Sequence, residues 1–215
     1  MNQSYQSNFI KQRPIRYFAF FLIIIGISRY IPLDYPELFN FSPVLAIFLI
    51  SGAFFKGHFS WIIPIFAVLA TDFMLSKSYG NHLIEPFMFA TILSYSLIFL
   101  LGKYLGKTLN LLKFATLGVA SAILFHLITC SMSWWINPVY DKSISGLINA
   151  IIWGEPGYAP SYLFLRNSVL SSLLFSVMFA WLAKKAGSYN IHIRRTAELQ
   201  TWGKFSTTSL SESFK

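Results

Sequence analysis

Few side chains in this sequence of 215 residues are equipped for chemistry, and most of those stand on or beside apolar runs. His126 and Cys130 are four residues apart, the spacing that puts two metal ligands on one face of a helix. Two ligands do not make a zinc site, which takes three or four, so no metal is expected. Thr129, Ser133 and Asn137 continue the same face, and Ser168, Ser172 and Ser176 form a second polar stripe further along. Inside a membrane bundle such stripes face inward, where they bond a neighbouring helix or line a cavity. For the serines, close helix packing is the expected role. Arg29, Asp72 and Arg166 each stand at the end of a different apolar stretch. Long charged side chains there can snorkel to the membrane interface. Alternatively, the three converge on one outward-facing pocket. The candidate ligand-binding set is Arg29, Asn40, Asp72, His126, Trp134, Trp153, Arg166 and Asn167.

Enzymatic chemistry finds no foothold. The phosphate-binding loop GxxxxGK[ST] does not occur, nor do HExxH or GxSxG. Asp72 has no second carboxylate within its stretch, which excludes an aspartyl dyad. The chain therefore reads as a binding or packing protein that needs no cofactor, and not as an enzyme. An intramembrane enzyme or metal handler built on His126 and Cys130 is the weakest of the readings weighed.

The elements that must carry these residues are six apolar stretches, roughly 17–30, 41–55, 59–75, 87–101, 114–135 and 163–183. A straight span needs about 20 apolar residues to cross about 30 Å of hydrocarbon, so the second and third are short. Such helices thin the bilayer, borrow flanking residues or end at a cavity within the protein. With the N-terminus inside, 13 of the 17 basic residues fall on the inner side, and only Arg29, Lys77, Lys142 and Arg166 fall outside. Six of the eight acids lie outside. Short loops that keep Lys and Arg mark the cytoplasmic face, which predicts six spans with both termini inside. The net charge of +9 belongs to this pattern, where lipid headgroups attract it, and not to nucleic acid.

The expected organisation is a cytoplasmic N-terminal segment over 1–16, an all-α transmembrane domain over 17–185 and a polar cytoplasmic tail over 186–215. Ser42 and Pro43 read as the N-cap and first residue of the second helix. In the connection from Ile136 to Tyr162, the apolar run Ile144–Trp153 predicts a short helix lying in the outer interface, anchored by Trp153. As a helix its ten residues rise about 15 Å, too little to cross. Gly154, Pro156, Gly157 and Pro160 then make a turn-rich lid.

Two regions carry a resemblance. Ser28-Arg29-Tyr30-Ile31-Pro32, Asn40 to Ala46, Ser51 to Phe55 and Thr71-Asp72 resemble the opening of a family of small bacterial membrane proteins of uncharacterised role. Trp135 to Tyr140, Ser145 to Leu147 and Phe164 to Asn167 continue the likeness, over roughly 20–180. That family is in turn similar to the substrate-binding S components of energy-coupling factor transporters. The resemblance implies a six-helix bundle in the bacterial cytoplasmic membrane, with a vitamin or precursor held near the outer face. It also implies ATPases and a separate transmembrane coupling subunit as partners. The Ala-x-x-x-Ala docking motif of that group is missing from span one, where Ile23 follows Ala19. The competing expectation is a structural or assembly subunit of a larger membrane complex, since 22 phenylalanines suit burial against partners.

Overall fold

The computed structural model describes residues 14–54, 59–79, 87–106 and 108–185. Seven helices and no strand occur among them: α1 (Pro14–Asp34), α2 (Val44–Phe54), α3 (Phe59–Tyr79), α4 (Phe87–Leu105), α5 (Leu111–Ile136), α6 (Ile144–Ile152) and α7 (Ser161–Lys185). A single 3-10 turn, Pro36–Leu38, lies between α1 and α2. The chain divides into two compact units, 1–180 and 181–215. In the described part of the second, Lys185 Nζ stands 5.7 Å over the Trp181 ring. The terminal segment before Pro14, the Lys56-Gly57-His58 connection and the tail over 186–215 lie outside the described residues.

Three helices, α4, α5 and α7, are long and apolar enough to cross a membrane, and the chain is a membrane protein on that ground. The other three stretches read as spans give shorter apolar segments among the described residues, Ile23–Pro32, Val44–Phe54 and Ser60–Phe73. Arg29 and Asp72 fall within α1 and α3, and α2 has only 11 residues. Helix ends also overrun the apolar stretches, because capping groups rather than apolar residues decide where a helix starts. Asn110 accepts from the backbone N–H groups of Leu112 and Lys113 (3.0 and 3.4 Å), which sets the start of α5 three residues before Phe114. At α2 the Pro43 carbonyl accepts the first helical bond, from Ile47 (2.9 Å), so Pro43 itself holds the cap position expected of Ser42.

The core is built around α2. Every residue from Val44 to Gly52 is buried, as befits a helix that is apolar all round. Where α2 meets α4, no side chain separates the backbones. A Cβ at Gly52 would lie 2.0 Å from the Phe99 carbonyl oxygen, and one at Gly102 would lie 2.0 Å from that of Leu49. Lipid supplies no hydrophobic drive between helices, so association rests on such close approach by small residues. Beside it, Tyr95 of α4 stacks on Phe48 of α2 (4.7 Å) and on Phe125 of α5 (5.6 Å). Phe54 meets Phe114 at 5.3 Å. The serine stripe of α7 serves packing. Gly118 of α5 sits so near that a Cβ there would be 2.7 Å from Ser172 O and 2.8 Å from Ser176 Oγ.

A methyl group at Gly102 has no room without moving α2. Gly102→Ala is expected to destabilise the protein by about 1–3 kcal/mol, the usual cost of overpacking. Gly26→Ala, whose Cβ would meet nothing nearer than 4.0 Å, is expected to leave stability unchanged or slightly raised. Unfolding in detergent micelles, followed by circular dichroism, checks the pair; equal effects at the two sites would contradict the close α2–α4 contact.

Candidate functional site

The polar stripe on α5 ends in a cluster of hydrogen bonds that fasten α6 and the loop after it. His126, 5% exposed, has Nε2 2.9 Å from the Ile151 carbonyl at the end of α6. A carbonyl only accepts, so Nε2 carries the proton in this arrangement. Cys130 Sγ lies 3.7 Å from the ring nitrogens of His126 and within hydrogen-bonding reach of Ser161. Thr129 turns back on its own helix, donating to Phe125 O (2.8 Å). Ser133 lies within hydrogen-bonding reach of Tyr140, whose hydroxyl burial pushes above its usual pKa. At the end of the stripe Asn137 Nδ2 donates to Glu155 Oε2 (2.9 Å), a contact across the whole of α6. No group of three metal-ligating residues forms among the described residues.

The turns that follow are shaped by glycine. Trp153 N and Gly154 N both donate to Asn149 O (2.8 and 2.9 Å), and Gly154 has φ +77°. This left-handed residue ends α6 as glycine commonly does. A Cβ there would also strike Ser161 Oγ at 2.6 Å. Gly157 is left-handed too (φ +92°). The helix expected over Ile144–Trp153 thus forms over Ile144–Ile152, started by Ser143 Oγ, which accepts from Gly146 N (3.2 Å). Trp153 is 61% exposed and meets Tyr162 edge-on at 6.1 Å. Trp134 donates its indole N–H to Asp141 O (2.8 Å).

A second cluster joins α7 to the loop between α1 and α2. Asn167, 5% exposed, donates from Nδ2 to Glu37 O (2.7 Å) and Phe39 O (2.9 Å). Its Oδ1 accepts from Arg166 Nε and Nη2 (3.3 and 3.2 Å). Phe39 and Phe164 pack edge to face alongside (6.1 Å). In the same loop Asn40 is exposed and takes φ 62°, a conformation that asparagine tolerates better than most residues. Arg166 thus bonds Asn167, while Asp72, with which it was expected to converge on one pocket, pairs with Arg29. Successive residues on a helix diverge by about 100°, and Asn167 holds the inward position while Arg166 braces it from the exposed side.

Arg29 and Asp72 form an ion pair between α1 and α3, with side chains 24% and 23% exposed. Both charges lie within electrostatic reach of the buried Tyr95. The eight candidates therefore fall into three groups. His126, Trp134 and Trp153 go with the lid; Asn40, Arg166 and Asn167 go with the α1–α2 loop; Arg29 and Asp72 pair with each other. Glu155 and Lys142 contribute as well. Glu155 gave no signal within its Gly/Pro context. Lys142 Nζ donates to the Asn137 carbonyl (2.9 Å) and to that of Trp134, and a basic residue just past a helix end was the available clue.

Removing one member of the Arg29–Asp72 pair leaves the other charge mostly buried without its partner. Arg29→Leu and Asp72→Leu should each cost about 2 kcal/mol, partial exposure reducing the full penalty of a buried pair. The double variant should cost less than the sum of the two. Denaturant titration in micelles measures the cycle; strictly additive losses would show that the pair has no coupling.

Comparison with known proteins adds the family and nothing finer. No curated protein and no solved structure matches the chain. Residues 9–191 match a family described only as a family of unknown function (DUF6580), and the chain, most of whose length that match covers, belongs to it.

Proposed function

We propose that this chain is a capture protein for a small molecule, embedded in a bacterial cytoplasmic membrane and built like the S component of an energy-coupling factor transporter. In this reading α1 to α5 and α7 make six crossings, some of them short, with both termini inside and α6 on the outer face. The ligand is a vitamin or precursor, and ATPases with a transmembrane coupling subunit supply the energy. The protein itself is no enzyme.

The hydrogen bond from Asn137 to Glu155 is the observation that carries the proposal. It ties the loop after α6 to the end of a spanning helix through one side chain on each side. Net hydrogen-bond contributions are about 0.5–1.5 kcal/mol each. A lid held by this bond, by His126 to Ile151 O and by the Ser133–Tyr140 contact is shut at rest and opens at modest cost. Closure over a bound solute is the common use of such a loop. Arg166 and Asn40 supply exposed polar groups, and Trp153 and Tyr158, both exposed, supply aromatic surface. On α1, Ile23 and Ile27, 57% and 60% exposed, present an apolar face where the docking motif would stand. Coupling through that face would thus differ in detail.

A second reading, an assembly subunit of a larger membrane complex, is favoured by one feature. Ile144, Ile148 and Ile152 stand on one face of α6 and are 79%, 50% and 40% exposed, a surface another subunit could cover.

Native mass spectrometry of protein purified gently from its own membranes separates the two. Capture predicts a retained small molecule that Asn137→Ala loses while the melting temperature holds. Stoichiometric membrane proteins with no small molecule, in both wild type and variant, would overturn it.

A further inference from the structure

An open groove runs between α4 and α5 on the outside of the bundle, with a volume of about 530 Å³. That is within the ~300–1,000 Å³ typical of ligand sites. Phe89 and Leu93 form one wall, Leu127, Ile128 and Met132 the other, and Trp134 closes one end. Ser131 is the single polar residue of the lining. Such a slot offers nothing to a polar solute, and its open side faces where lipid lies.

The Trp134 end differs from the rest. Lys142 Nζ stands 5.9 Å from the centre of the Trp134 ring and is tethered there by its bonds to the Trp134 and Asn137 carbonyls. A free lysine wanders through solvent, but this one is held at a fixed point on the rim. An ammonium has three donors, so one remains for a ligand. Trp134 and Trp135 beside it are residues of the kind that settles at headgroup depth. An apolar slot with a fixed cation at its interfacial end is the complement of an amphiphile with a negative head.

We propose that this groove is a phospholipid site, with one acyl chain along the α4–α5 slot and the lipid phosphate on Lys142. The charge-assisted hydrogen bond from the ammonium distinguishes the occupant from the lipid that coats any membrane protein. The proposal does not rest on small-molecule capture: it shares Trp134 and the Asn137 carbonyl with the lid cluster, but uses neither the Asn137–Glu155 bond nor the His126–Ile151 bond.

The test uses the full chain, reconstituted in vesicles of phosphatidylcholine and phosphatidylglycerol, released into mild detergent and weighed by native mass spectrometry. Wild type should retain one phospholipid per chain, with phosphatidylglycerol enriched. Leu93→Trp fills the slot from an exposed position and should abolish retention; Leu127→Trp does the same from the opposite wall if the first variant folds poorly. Lys142→Gln should keep a lipid but lower the preference for phosphatidylglycerol about fivefold, the effect of one basic residue at a membrane surface. Wild type that retains no lipid, folded tryptophan variants that retain it equally, or a second protein chain bound in its place would each overturn the assignment.

Discussion

A helix of 11 residues rises about 16 Å, little more than half the hydrocarbon thickness, and α2 is such a helix at the centre of this protein. The start of such a helix needs a cover of protein where lipid would otherwise reach it, because bare backbone is not tolerated in lipid. Much of the rest answers that requirement. Around α2, close approach of α4 through Gly52 and Gly102 leaves no space for lipid. At its start, the loop of residues 35–43 has carbonyls that Asn167 caps from α7. Its residues Phe39 and Phe41 pack on Phe164 and Phe175. The loop, though largely exposed, is thus fastened to the bundle by a partner 130 residues away in sequence.

The other end of the same problem is the connection from α5 to α7. Here the long helix, not the short one, supplies the polar groups. His126, Ser133 and Asn137 recur down one face of α5 and reach Ile151, Tyr140 and Glu155 in turn. Each bond satisfies a group that would be costly unpaired and each is weak enough to exchange. A fold made stable by glycine contacts at its centre can leave its outer connection held by single hydrogen bonds. This division of labour, rigid core and fastened lid, is the physical basis for reading the molecule as one that opens and closes over a solute.

Much of this was legible in the sequence. The apolar stretches located α4, α5 and α7, and the apolar run at 144–153 located α6 to within a residue. Helical spacing put His126 and Asn137 on one face. Their partners were not legible, because a backbone carbonyl such as Ile151 O has no sequence signature. Glu155 looked like any loop acid. Arg166 drew attention by its charge, yet Asn167 beside it makes the inward bonds, since a small neutral amide fits where a guanidinium must stay at the surface. The lengths of α1 to α3 were also ambiguous, as charge inside a helix and charge at its end look alike in a list of residues.

Hydrogen–deuterium exchange in lipid nanodiscs tests the central claim, that the start of α2 is protected by a loop held by Asn167. In wild type the amides of 44–54 should be among the slowest in the chain. Asn167→Ala removes two hydrogen bonds, at about 1 kcal/mol each. Residues 38–46 should then exchange at least about tenfold faster, while 114–125 of α5 stay protected. Unchanged exchange at 38–46 in the variant, or rapid exchange along α2 in the wild type, would contradict the account.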